Sequence, residues 1–340
     1  MNILEAFTQY FSRLQGWLFE QWVQPALFQL GLNHLSELAF DATELLLAGV
    51  LEIALLILIL GTLERFFPVE RQDDARSRRL DRWYTLLHRL GLFPLFAFAL
   101  LTPALDALEG QLRLLGVSRM NLEQTLARLS DSPAWQSFFE RPMVSFCLYL
   151  LILDFADYWI HRAQHRFEPW WQLHALHHSQ RQMNYWSDNR NHLLDDLLRD
   201  AVMAALAMFL GASPGQYVGL VVVSRMLQSL QHANLKWHFG TIGERLLVSP
   251  SFHRLHHGIG IGHEGKAKGC NFAVLFPVWD VMFRTADFRS GFVATGIRDQ
   301  LSGKTYGDHF WGQQSLALKR MVFSLLSLLP LSKKSSPHAP

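Results

Sequence analysis

Three short histidine clusters constrain this chain more than any other feature: His161-Arg-Ala-Gln-His165, His174-Ala-Leu-His177-His178 and His253-Arg-Leu-His256-His257. Eleven of its sixteen histidines lie between His161 and His257. Residues three and four apart share a helical face, so each cluster aims two or three imidazoles at a single point. Neutral imidazole is a common ligand for Fe, Zn, Cu and Ni. One tetrahedral zinc takes four ligands; the eight clustered histidines exceed that and point to two metals. Solvated surface histidines would not repeat the HxxHH spacing twice and add an HxxxH. The fold must therefore bring segments distant in sequence to one place.

Between and around the clusters run apolar stretches. Half of the 340 residues are hydrophobic and only 18% are charged, against roughly 25% in an average soluble protein. Residues 45–63 are long enough to cross a bilayer and carry one charge, Glu52. A second span is expected over 83–105, containing His88, Arg89, Pro94 and Pro103, and a third over 142–160, which runs directly into His161. Leu193–Leu210 and residues 217–230, broken by Gly211-Ala-Ser-Pro-Gly215, read as a hairpin that crosses or dips into the bilayer. The loop 71–82, with Arg71, Arg76, Arg78, Arg79 and Arg82, is expected to be cytoplasmic by the positive-inside rule. Counting spans from it puts all three clusters on the cytoplasmic face. The expected fold is all-α: a polytopic membrane bundle of about four transmembrane helices with a cytoplasmic, histidine-rich metal-binding cap. Residues 1–40, rich in aromatics, read as interfacial helices, 41–300 as the membrane domain, and 301–340 as an interfacial segment with a disordered tail from Lys333.

Other features narrow the function. A net charge of +2 implies no polyanionic partner, so no nucleic acid. Cys147 and Cys270 cannot build a disulfide framework. No basic segment precedes a short apolar stretch and a small-residue cleavage site, so no signal peptide is expected. The HExxH of zinc proteases is absent.

Further site candidates follow from placement. Asp157 and Asp154 lie one and two turns before His161, and Asp195 follows His192; such carboxylates can orient metal-bound histidines through the second ring nitrogen. His232 ends the hairpin one turn after Gln228, which makes His232 a ligand candidate, with Gln228 and His192 as further possibilities. His238 reads as interfacial, and His34, His88, His263, His309 and His338 support no functional role. Val222, Met226 and Leu227 would line a channel leading to Gln228 and His232.

The segments HRAQH, LHALHHS, QHAN, SPSFHRLHHG and CNFAVLFPVWDVMFRT, from about Asp154 to Phe288, resemble the fatty acid hydroxylase/sterol desaturase superfamily of membrane di-iron enzymes. Within it the chain looks most like bacterial sterol desaturase family proteins and alkylglycerol monooxygenase. The resemblance implies two iron ions held by His161, His165, His174, His177, His178, His232, His253, His256 and His257. Gln228 would stand where relatives place a ligand, and Asn271 would take a structural or ligand-orienting role. It further implies O₂ as co-substrate, a membrane lipid as substrate, location in the cytoplasmic membrane if bacterial, and a separate electron donor: a ferredoxin, a cytochrome or a reduced pterin. No fused heme motif of the HPGG type is present.

Two outcomes are open for such a site. Hydroxylation of an unactivated C–H is the first reading, and a sterol or acyl desaturase with the same site the alternative. A histidine-lined metal-binding or transport protein is a third, but transporters place ligands at mid-membrane, whereas these clusters lie just beyond the apolar spans.

Overall fold

The computed structural model describes residues 3–265, 268–289 and 291–328; the expected tail from Lys333 lies outside them. Regular structure among the described residues is helical, apart from two isolated β-bridges, Pro68 to Leu235 and Gly258 to Thr295. In chain order the principal helices are α1 (Ile3–Leu18), α2 (Asn33–Phe66), α3 (Ala75–Arg89), α4 (Leu92–Leu114) and α5 (Pro142–Arg166). They continue with α6 (Glu168–His178), α7 (Leu193–Leu210), α8 (Pro214–His232), α9 (Pro250–His256) and α10 (Phe310–Leu328).

Three of these, α2, α4 and α5, are long and apolar enough to cross a membrane. Their outward faces carry Ile57, Leu58 and Ile59 on α2, Phe96 and Phe98 on α4, and Met143 on α5, all exposed. Exposed apolar side chains along such helices fit segments that cross a membrane. The hairpin helices α7 and α8 form as expected, turning at Gly211, but they are not among the apolar spans. Asp195, Asp196, Arg199 and Asp200 on α7, and Gln216, Arg225, Gln228, Gln231 and His232 on α8, account for that. Helix α1 continues through a wide turn into residues 24–29. It packs on α2 where Phe19 meets Phe40 edge-on at 5.2 Å and the Gln15 amide donates to the Phe40 carbonyl.

The second span differs from expectation. Residues 83–105 are not one helix: α3 ends at Arg89, and Gly91, at φ 85°, turns the chain before α4 runs from Leu92 to Leu114. Polar pairing fixes the break. His88 Nε2 lies 2.9 Å from Asp196, and Arg89 is wholly buried between Glu52, at 2.5 Å, and Asp188, at 3.0 Å. Gly49 permits the crossing, because a Cβ there would sit 1.7 Å from the Arg89 carbonyl oxygen.

Arg89 also donates to Ser229 (2.6 Å) and to the Arg225 carbonyl, while Arg225 pairs with Glu52. One buried network thus ties α2, α3 and α8 to the turn at residues 187–189. The lone charge of the first apolar span is its anchor. Removing one partner of a buried ion pair costs about 3–5 kcal/mol, because the other charge stays desolvated. Arg89→Met is therefore expected to lower stability by about that amount in detergent-solubilised unfolding; a loss below about 1 kcal/mol would show that the network does not hold the helices together.

The core that positions the clusters has two parts. Tyr149, Leu153 and Ile160 of α5 pack against Met203, Ala207 and Leu210 of α7 and Leu220 of α8. Nearer the histidines, Tyr158, Val248, Phe252, Phe272 and Ala273 form a second cluster.

Candidate metal centre

Local sequence sets each helix that carries a cluster. Helix α5 delivers His161 and His165 one turn apart at its C-terminal end. Phe167 and Pro169 break the chain and start α6, which carries His174 one turn before its last residue, His178, with His177 beside it. Ser249 caps α9 by accepting from the Phe252 N–H at 3.1 Å, with Pro250 in the first helical position, so His253 and His256 follow within two turns.

The clusters do not each converge on one point. The nine histidines fall into two groups, each with ligand-capable atoms all within 4.8 Å of one another: His161, His165, His174, His178 and His256, and His177, His232, His253 and His257. Helix geometry explains the division. Each residue advances ~100° around the axis, so the fourth residue of HxxHH points ~100° away from the fifth. In α6 the i, i+4 pair His174 and His178 joins the first group, and His177 the second. At α9 the pair His253 and His257 joins the second group, and His256 the first. The groups abut, with His178 stacked on His257 at a centroid separation of 4.3 Å.

In the first group the outer ring nitrogens of four of the five histidines are bonded to protein. His161 Nδ1 faces the Phe272 carbonyl at 2.8 Å, His165 Nδ1 that of Lys268 at 3.2 Å, and His256 Nδ1 that of Cys270 at 2.7 Å. His174 Nδ1 meets Asp195 Oδ2 at 3.0 Å, while Asp195 Oδ1 accepts from Gln164 and Trp170, both at 2.7 Å. With Nδ1 holding the proton, the Nε2 lone pair faces inward. The Nε2 atoms of His165, His174, His178 and His256 are buried and have no partner among the described residues. Four converging, unpartnered lone pairs fit a metal ion.

The second group is built differently. His177, His232, His253 and His257 meet through Nε2 contacts, each of 3.1 Å: His177 to His232, His232 to His253, and His253 to His257. Two nitrogens ~2.1 Å from a shared ion and at right angles would lie ~3.0 Å apart, so this set also fits. Burial holds His177, His178, His253 and His257 well below the usual imidazole range, with neighbouring imidazoles adding to the effect, and takes His256 down to about 3. Neutral imidazole is the form that binds metal.

The remaining candidates have other partners. Asp154 accepts from the Leu275 and Phe276 N–H groups and from Trp279 Nε1, so it holds the chain beyond the loop rather than a histidine. Asp157 is paired with Arg199 of α7. Asn271, at φ 57°, donates to the Phe252 and Asp287 carbonyls and fixes that loop. His192 lies outside both groups: its Nε2 faces the Gln314 carbonyl, and its Nδ1 accepts from the Leu194 N–H to cap α7. The Gln228 amide donates to Ser224, and its backbone carbonyl faces His232 Nδ1 at 2.8 Å. Val222, Met226 and Leu227 are half-buried on α8, with the Met226 sulfur 3.4 Å from Arg89.

Sequence reasoning missed three features. The loop carbonyls of Lys268, Cys270 and Phe272 carry no side-chain signal. Asp280, fully buried, accepts from the Phe272 and Ala273 N–H groups at 2.8 Å and from Thr285 at 2.6 Å, and so sets the loop's path. His263 stacks on Trp171 at 3.5 Å beside His165, at the edge of a solvent-open cavity of about 470 Å³ that His178 also lines.

Residues 146–285 match the fatty acid hydroxylase family, from the first turns of α5 to the residue that bonds Asp280. The match covers less than half of the chain and marks this segment as similar to that family. Among its relatives are an ornithine lipid hydroxylase of Rhizobium tropici and the alkylglycerol monooxygenases of Homo sapiens and Caenorhabditis elegans. The first is 28% identical over 136 residues, covering 40% of each chain. The human protein is 28% identical over 49% of this chain and 34% of its own, and the nematode protein 31% over 41% and 26%. The chain thus spans between about a quarter and two-fifths of the length of these relatives. No solved structure is a significant match. All nine grouped histidines lie within residues 146–285, so the matched segment contains both groups whole.

Asp195 offers a direct test of how the first group is held. Loss of a carboxylate that orients a metal-bound histidine lowers metal affinity about 10–100-fold. Asp195→Ala is expected to do so in competition against a chromophoric chelator, and unchanged affinity would show that His174 is oriented by something else.

Proposed function

We propose that the chain is an O₂-dependent di-iron oxygenase that hydroxylates an unactivated C–H bond of a membrane lipid. One observation carries the reading: nine buried imidazoles in two abutting groups, beside helices apolar enough to cross a membrane. His161, His165, His174, His178 and His256 would hold one ion, and His177, His232, His253 and His257 the other. Iron, when bound, supplies the O₂ and C–H chemistry that no side chain here can perform. The protein's part is to fix ligand direction through Asp195 and the loop carbonyls and to bury the ligand rings.

The substrate class follows from the surroundings and from the relatives' names, which specify an ornithine lipid and an alkylglycerol. A lipid would approach from the bilayer along α8, where Val222, Met226 and Leu227 present apolar side chains. Electrons would come from a separate donor, a ferredoxin, a cytochrome or a reduced pterin, with the clusters on the cytoplasmic face. Desaturation at the same site is the second reading, since placement of the C–H relative to the ions decides between the two.

Two experiments test this. Membranes of cells with and without the gene, compared by lipid mass spectrometry, should differ by a lipid heavier by one oxygen atom. A product lighter by two hydrogens would instead establish desaturation. His177→Ala and His256→Ala, one from each group, should abolish the product while the chain stays membrane-inserted; full turnover in both would remove the site from the reaction. For orientation, Arg181 lies exposed just past α6. Arg181→Cys should resist an impermeant thiol reagent in intact cells and react after lysis, relative to the unsubstituted chain. Labelling in intact cells would reverse the topology.

A further inference from the structure

The two histidine groups differ in how their outer ring nitrogens are used. In the five-histidine group, Nδ1 of His161, His165, His174 and His256 each has a protein partner, three of them carbonyls of a loop pinned by Asp280. Only His232 of the four-histidine group is tied in this way, to the Gln228 carbonyl of its own helix. The Nδ1 atoms of His177, His253 and His257 are buried without a hydrogen-bond partner among the described residues.

Tautomers follow from these contacts. In the first group each bonded Nδ1 carries its proton and leaves Nε2 as a bare lone pair, whether or not an ion is present. Without an ion, the Nε2 atoms of His165, His174, His178 and His256 are orphaned. The second group can pair its four Nε2 atoms among themselves, although the Nδ1 atoms of His177, His253 and His257 have no partner among the described residues. His232 Nε2 is an acceptor, because its Nδ1 donates to Gln228, so His177 Nε2–H can donate to it across 3.1 Å. His257 Nε2–H can donate to His253 Nε2 across a further 3.1 Å. Binding an ion breaks both bonds and moves the protons of His177 and His257 to Nδ1. His177 and His257 then join His253 in burying an Nδ1–H with no acceptor.

We infer that the two metal sites are unequal: the five-histidine site binds first and retains its ion, whereas the four-histidine site loads last and releases its ion to chelators. This rests on the two-ion reading above. An outer partner is worth about 10–100-fold in metal affinity, and the second site lacks three of them and has one ligand fewer. A gap of at least about 100-fold in dissociation constant is expected.

The test uses the full-length, detergent-solubilised protein, stripped of metal and titrated anaerobically with Fe(II) against a chromophoric chelator, with iron per chain measured by elemental analysis. Two phases of one ion each, the first at least about 100-fold tighter, would support the inference, as would partial chelation that stalls at one ion. His257→Ala should remove the weak phase and spare the tight one, and His165→Ala should remove the tight phase. Two ions bound with equal affinity, or released together, would overturn the inference while leaving the di-iron reading standing. Saturation at one ion or fewer would overturn both. Wild-type chelation alone distinguishes these outcomes should either variant fail to fold.

Discussion

Every buried imidazole has two nitrogens, and a fold that gathers nine of them must account for both. That requirement organises the molecule around the site. One nitrogen of each ring faces one of two centres, and the other must find an acceptor or remain unpaired, at a cost of about 1–3 kcal/mol for a buried polar group. The loop beyond α9 meets most of this demand for the first group. Its carbonyls at Lys268, Cys270 and Phe272 face three rings, two from α5 and one from α9. Asp280 and Asn271 hold the loop against α9, and Asp154 holds the chain just after it against α5.

A second constraint acts on the spans. Apolar helices in an apolar solvent gain little from the hydrophobic effect when they pack against one another, so direction must come from polar contacts. Here the burial of Arg89 between Glu52 and Asp188, with Arg225 on the far side of Glu52, supplies it. The same network reaches Ser229, one turn before His232 loses its place on α8 to the non-helical chain beyond. Charges that look misplaced in the spans are therefore connected to the position of a histidine in the second group.

Much of this was legible in the sequence. The helical class, the apolar segments, the α7–α8 hairpin and the convergence of the clusters follow from periodicity, turn residues and spacing. What escaped was information that side-chain identity does not carry. Backbone carbonyls donate no pattern to a sequence, so the orienting loop was invisible, and the aspartates preceding His161 drew attention that belonged to Asp280. The break at Gly91 was hidden inside an apolar run because its cause, the partners of His88 and Arg89, lies far away in the chain. His192 looked like a ligand beside the carboxylates of α7, yet its ring spans a helix cap and the Gln314 carbonyl.

The HxxHH spacing was read as one target and proves to be two. On a helix, i and i+4 lie ~40° apart, whereas i+3 lies ~60° to the other side of i. A single turn can thus serve two neighbouring points, but only if a second helix presents the complementary division. That is how α6 and α9 are related: α6 gives two rings to the first group and one to the second, and α9 reverses the assignment. The two centres are side by side because both are reached from the same two helical turns, and the stacked pair His178 and His257 marks their boundary. The remaining ligands break the symmetry. Helix α5 adds two rings to the first group, α8 adds one to the second, and the orienting loop lies against the first alone. Two sites drawn from nearly equivalent motifs are thereby made unequal by the elements that complete them.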